Sequence, residues 1–151
     1  MIQRIQTVYL AIAFIITAVC LCLPIGTFTP VGMGADTVMF NLWKVMPDGA
    51  LSFAVWPLFG ILLLTCPISL IAIFSYKNRK LQAYLCTCNI IITLLWVVGY
   101  VIYGYVLGEE NQTFKPALAA CFPLIAIIFY FLARRGIIKD EKLVRAADRI
   151  R

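Results

Sequence analysis

LQAYLCTCNIIITLLWVVGYVIYGYVL, residues Leu81–Leu107, contains no Asp, Glu, Lys or Arg. A bilayer's hydrocarbon core is crossed by about 20 apolar residues in a helix, so this stretch is long enough to span one. It is not uniform around its axis. Gln82, Cys86, Asn89, Thr93, Trp96, Tyr100 and Tyr103 recur at steps of three or four and therefore share one helical face, while Ile, Leu and Val fill the other. Lipid suits the apolar side, so the polar side is expected to meet other helices.

Three more stretches of the same kind lie on either side, giving spans at about 5–25, 51–74, 81–107 and 116–133, none with a charged residue. The composition agrees: 63% hydrophobic and 13% charged, with mean hydropathy +0.95, against roughly 45–50% and 25% in soluble domains. The runs are apolar on all sides rather than at every second residue, which argues for helices over a barrel. The predicted fold is an all-α membrane protein: a four-helix transmembrane bundle over residues 1–134, outer loops at 26–50 and 108–115, and a tail at 135–151. Arg4 followed by an apolar run resembles a secretory signal. The run is too long for one and no small-x-small cleavage site follows, so a retained span is expected.

Sidedness follows from the basic residues. Arg4, the Lys77/Arg79/Lys80 turn, and Arg134, Arg135, Lys139, Lys142, Arg145, Arg149 and Arg151 all fall on one side, leaving only Lys44 and Lys115 of the 13 Lys and Arg for the other. Both termini are therefore expected in the cytoplasm. The net charge of +6 reads as a topology signal, and no nucleic-acid partner is expected. In the first outer loop, Thr27–Thr29 and the alternating Thr37–Val45 flank the turn-prone Pro30–Asp36. One reading is a small β-hairpin on the outer face. The other is an irregular loop with Phe40 and Trp43 at the lipid headgroups.

Histidine is absent and the spans carry no charge, so the usual intramembrane proton relay or ion-coupling site is missing, as are the common catalytic bases. No catalytic residue, metal or cofactor is expected. The polar face instead suggests an interhelical cluster centred on Asn89, with Thr93 and Tyr100 on the same helix, Thr65 and Ser69 one turn apart on the second, and Gln6 on the first. Hydrogen-bonded glue between helices is the favoured reading; a lined cavity for a polar molecule or lipid headgroup is the alternative. Six cysteines, Cys20, Cys22, Cys66, Cys86, Cys88 and Cys121, all lie in apolar runs. Within each Cys-x-Cys pair the side chains point about 200° apart along a helix, so small buried hydrophobes are expected rather than a disulfide or metal framework. Pro57 and Pro67 are expected to interrupt the second span and Pro123 the fourth; Gly104 and Gly108 have small-xxx-small spacing.

The tail, IIKDEKLVRAADRIR (Ile137–Arg151), reads as a separate amphipathic helix starting at an Asp140 cap. Leu143, Val144 and Ile150 lie on its apolar face and Arg145, Arg149 and Arg151 supply charge. Such a helix is expected to lie on anionic lipid or to dock on a membrane-protein partner. MIQRIQTVYL at the start, YKNRKLQ between the second and third spans, and KDEKLVRAADRIR at the end resemble the uncharacterised four-span inner-membrane proteins of Bacteroidota, a domain of unknown function. The resemblance covers the whole chain and implies a bacterial inner-membrane location but no activity. The plan is also similar to the claudin architecture, with its four spans and β-rich first outer loop, although that family's cysteine pair is missing from the loop. The expected role is that of a non-enzymatic accessory or scaffold component of a membrane assembly, with homo-oligomerisation left open. The alternative is a small-molecule or lipid-handling protein using the polar face of the third span.

Overall fold

The computed structural model describes residues 2–32, 34–76, 78–106 and 112–148. Among these lie four long helices: α1 (Ile2–Cys22), α2 (Trp56–Phe74), α3 (Arg79–Val101) and α4 (Phe122–Asp148). Each supplies most of a segment long and apolar enough to cross a membrane. They pack as a ring in which α1 meets α2, α2 meets α3, α3 meets α4 and α4 returns to α1. Large apolar side chains remain exposed around the outside of every helix, including Ile15, Leu64, Leu95 and Ile128.

Where α1 and α3 end and α2 and α4 begin, the connections fold into a five-stranded antiparallel sheet. Its strands are β1 (Gly26–Pro30), β2 (Thr37–Met39), β3 (Lys44–Val45), β4 (Leu51–Ser52) and β5 (Gln112–Pro116), in the order β4-β3-β2-β1-β5. The first loop thus supplies four strands rather than a single hairpin. The expected alternating run Thr37–Val45 is broken by a turn in which the Phe40 amide donates to the Trp43 carbonyl at 2.8 Å. The fifth strand comes from the short second loop and lies beside β1, with Phe28 directly opposite Phe114. Their ring centroids are 4.9 Å apart.

Several helix limits differ from the sequence reading, each for a local reason. Residues 51–52 belong to β4, so α2 starts at Trp56 with Pro57 in its first turn, where the missing N–H would have no intrahelical partner anyway. Pro123 occupies the equivalent place in α4, after a 3₁₀ turn at Leu118–Cys121. Only Pro67 lies inside a helix. Asn78 caps α3, its Oδ1 accepting from the Leu81 amide at 3.3 Å. Beyond Val101 the chain widens into a π-helical turn, Ile102–Val106. What lies nearest Gly104 in that turn is Phe114 of β5. A methyl group there would lie 2.5 Å from the Phe114 ring, as would one on Gly26, so the two glycines leave the space that the ring fills. Gly108 lies outside the described residues.

The largest correction concerns the tail. No separate helix begins at Asp140, because α4 runs unbroken for 27 residues to Asp148, about 40 Å at 1.5 Å per residue. Gly136 does not interrupt it; it lets α1 approach, since a Cβ at that position would lie 3.1 Å from Gln6 Cγ. Asp140 is 7% exposed and accepts from Gln6 Nε2 at 2.6 Å. It is a buried contact of the bundle, not a helix cap.

Candidate functional site

The polar stripe of α3 is the inner face of the bundle: Gln82, Cys86, Asn89, Thr93, Trp96 and Tyr100 are all buried. Gln82, Asn89 and Trp96 are successive sevenths on that face, about 10 Å apart along the axis, and they mark three distinct layers.

The middle layer joins α2, α3 and α4. Ser69 Oγ donates to the Thr65 carbonyl at 2.7 Å and lies 2.7 Å from Tyr130 Oη and 3.1 Å from Asn89 Nδ2. A hydroxyl has one proton and two lone pairs. With its proton on the Thr65 carbonyl, Ser69 must accept from both Tyr130 and Asn89, which leaves it saturated. Thr65 Oγ1 turns back to the Leu62 carbonyl at 2.6 Å and Thr93 Oγ1 to the Asn89 carbonyl at 2.7 Å. Asn89 Oδ1 is different: it is buried and has no hydrogen-bond partner. A buried acceptor without a donor is uncommon in folded proteins.

The sheet-end layer is closed by aromatic rings and amides. Asn41, fully buried in the β2–β3 turn, donates from Nδ2 to the Cys20 carbonyl at 2.8 Å and accepts from Trp96 Nε1 at 3.0 Å. Tyr100 donates to the Ile25 carbonyl at 2.9 Å and stacks on Trp96 with ring centroids 5.3 Å apart. At the opposite, basic end, Asp140 receives the Gln6 amide, and Arg79 Nη1 donates to the Asp140 backbone carbonyl at 3.1 Å.

The sequence-selected residues therefore divide. Thr65, Ser69, Asn89 and Thr93 gather in the middle layer, Tyr100 belongs to the sheet joint, and Gln6 belongs to the basic end. Sequence reasoning missed Tyr130, which reaches across the ring from α4; between Phe129 and Phe131 it looks like one more lipid-facing aromatic. It also missed Asn41, which no periodicity marks. On the tail, Leu143 and Val144 are exposed and Arg145 lies within α4, whereas Arg149, Ile150 and Arg151 lie outside the described residues. Cys20 Sγ donates to the Ala119 carbonyl at 3.4 Å, and all six cysteines are free. Among the described residues, no three His, Cys, Asp or Glu side chains group so as to hold a metal ion.

A ring of four helices apolar enough to cross a membrane, closed at one end by a small antiparallel sheet and threaded by buried polar layers, is the architecture of a multi-pass membrane protein. The profile of the family described as Domain of unknown function (DUF4293) matches residues 2–150. The chain belongs to that family. No curated protein matches it.

Proposed function

We propose that the protein is a non-enzymatic, multi-pass component of a bacterial inner membrane, with both termini in the cytoplasm, serving as an accessory or scaffold element of a larger membrane assembly. The observation that carries this reading is where the polar groups of the helices go. The α3 face that offered the best prospect of a reactive or conducting site is bonded internally to its own backbone, to α2 and to the connections that carry the sheet. What is left to present to other proteins is the sheet at one end and the projecting, basic end of α4 at the other. The sidedness rests on charge: Arg79, Lys80, Arg134, Arg135, Lys139 and Lys142 lie in the half of the helices away from the sheet, whose strands carry Lys44 and Lys115.

The test is affinity purification in mild detergent of the full-length protein beside a chain ending after Lys142, which keeps the Asp140 contacts and removes Leu143 and Val144. Recovery of a defined membrane-protein partner by the full chain and its loss from the shortened one is the expected result. Equal recovery, or none, removes the tail-docking part of the proposal. A reporter fused to the C-terminus that is active only in the periplasm should stay inactive.

A second reading, binding of a small polar molecule or lipid headgroup by the middle layer, is favoured by one observation: the unpartnered Oδ1 of Asn89. Co-purified small molecules lost on Asn89→Leu substitution would support it.

A further inference from the structure

Arg134 lies within the fourth apolar segment, Leu118–Val144. It is half-buried, and its Nε donates to Thr87 Oγ1 at 2.9 Å. Thr87 is eight residues beyond Arg79, about 12 Å along α3 from the basic end, so this guanidinium is drawn in along the bundle rather than spread on a solvated tip. Thr87 is itself oriented: its hydroxyl proton goes to the Ala83 carbonyl at 3.0 Å, which turns a lone pair toward Arg134. A guanidinium has five N–H donors in a planar fork. With Nε held by Thr87, the two Nη groups remain, and no ion pair to them is found among the described residues. A cation at that depth is costly, and such residues normally face a partner.

The surroundings of the pair are polarised along the groove between α3 and α4. Toward the basic end, Lys80 lies two turns before Thr87 on the same face of α3, and Lys142 two turns after Arg134 on α4; both are exposed. Toward the sheet end, Ile91 and Leu94 of α3 and Phe131 of α4 are 60%, 48% and 50% exposed. A free phosphate ion would use the cations alone. A phospholipid would use both halves, its phosphate on Arg134 and its acyl chains on the apolar side chains.

We propose that Arg134 and Thr87 form the centre of a binding site for an anionic phospholipid of the leaflet at the basic end, with Arg134 gripping the phosphate through both Nη groups and Lys80 and Lys142 flanking the headgroup. Arg suits this role better than Lys because its fork can hold Thr87 and two phosphate oxygens at once. The site rests on the membrane-spanning reading of the four helices.

The test reconstitutes the full-length protein in vesicles of equimolar phosphatidylglycerol and phosphatidylcholine, extracts it gently, and counts retained lipid by native mass spectrometry. Wild type should retain phosphatidylglycerol in preference to phosphatidylcholine. Arg134→Gln should weaken that retention about tenfold, the factor one charge-assisted bond supplies, with Arg134→Lys and Thr87→Val in between. Arg135→Gln, about 100° around the helix, should match wild type. Should Arg134→Gln not fold, Thr87→Val carries the test alone. Equal retention of both lipids, or unchanged retention in Arg134→Gln and Thr87→Val, overturns the site. Displacement of phosphatidylglycerol by inorganic phosphate overturns the lipid assignment in favour of a phosphate site. Alkaline extraction of native membranes separates the two levels: a protein released by it defeats the membrane reading and the lipid site together, whereas a protein that stays in the membrane but shows no lipid preference defeats the lipid site alone.

Discussion

The sheet joint and the middle of the bundle are built on the same face of α3, one stacked above the other, yet their polar atoms are closed in different ways. At the joint, Asn41 and Tyr100 reach backbone carbonyls at the end of α1 and the start of β1, and Trp96 reaches Asn41. These groups hold a loop on a bundle and are wrapped by the apolar cluster of Leu58, Leu62, Val55 and Phe28. In the middle, side chains from α3 and α4 meet one serine hydroxyl of α2, and one acceptor is left over. The joint thus specifies a unique placement of the sheet, while the middle layer ties helices together with capacity to spare.

The joint should therefore break at greater cost. Trp96→Ala removes the largest fully buried side chain, leaves Asn41 Oδ1 without its donor and exposes the ring of Tyr100. Truncations of this kind cost about 3–5 kcal/mol. Thermal unfolding in detergent should give this variant a lower midpoint than any single substitution in the middle layer or at the basic end, with loss of protease resistance in the sheet. A loss under about 1 kcal/mol would mean that the sheet is held by its strands rather than by the joint.

The second-largest effect should come from the glycine slot. Gly104→Ala puts a methyl group 2.5 Å from the Phe114 ring, and overpacking of that kind costs about 1–3 kcal/mol. Phe114→Leu alone loses ring contacts with Phe28, Tyr100 and Tyr105. If the slot is what seats β5, the two substitutions are not additive, and the double variant is more stable than the sum of the single losses predicts. Additive losses would show that β5 is seated by its ladder with β1 alone.

The four apolar runs and the buried face of α3 were legible because both are periodic, and periodicity survives without knowledge of the partner. What each face meets was not. Strands of two residues, such as Lys44–Val45 and Leu51–Ser52, carry no alternation to read, and β5 pairs with a strand far away in sequence while its Phe114 fills a slot left by Gly26 and Gly104. The tail misled for a definite reason. Asp140 followed by Glu141 has the form of a helix start, and Gly136 before it has the form of a helix end, but burial against Gln6 gives both residues a tertiary role that overrides the local signal. Of the candidate cluster, the residues near Asn89 in depth were grouped together, while Tyr100, on the same face of α3, and Gln6, on α1, lie in other layers.

Within the middle layer, Ser69→Ala should cost more than Asn89→Leu. The first strands two donors, Asn89 Nδ2 and Tyr130 Oη; the second removes one donor together with an acceptor that already lacks a partner. Interhelical bonds in membranes average about 0.6 kcal/mol and reach about 1.7, so unfolding in detergent should put Ser69→Ala near the upper figure and Asn89→Leu near or below the lower. A reversed order would mean that Asn89 Oδ1 has a partner in the working protein, which is what the ligand-binding reading requires.

The smallest effect is expected at the basic end, from Asp140→Asn. Gln6 Nε2 can donate to a neutral amide oxygen as well as to a carboxylate oxygen, and the Arg79 bond is to the Asp140 backbone carbonyl, which the substitution leaves in place. Charge is then the one thing changed, and because Asp140 is buried, the weaker bond from Gln6 to a neutral acceptor is offset by the lower cost of taking an uncharged group out of water. Stability should stay within about 0.5 kcal/mol of wild type, and amide exchange along Ile137–Val144 should be unaltered. A marked loss, with exchange rising over that segment, would mean that α4 is kept straight past Gly136 by the carboxylate charge rather than by helix packing, and would return the tail to the hinged element that its sequence resembles.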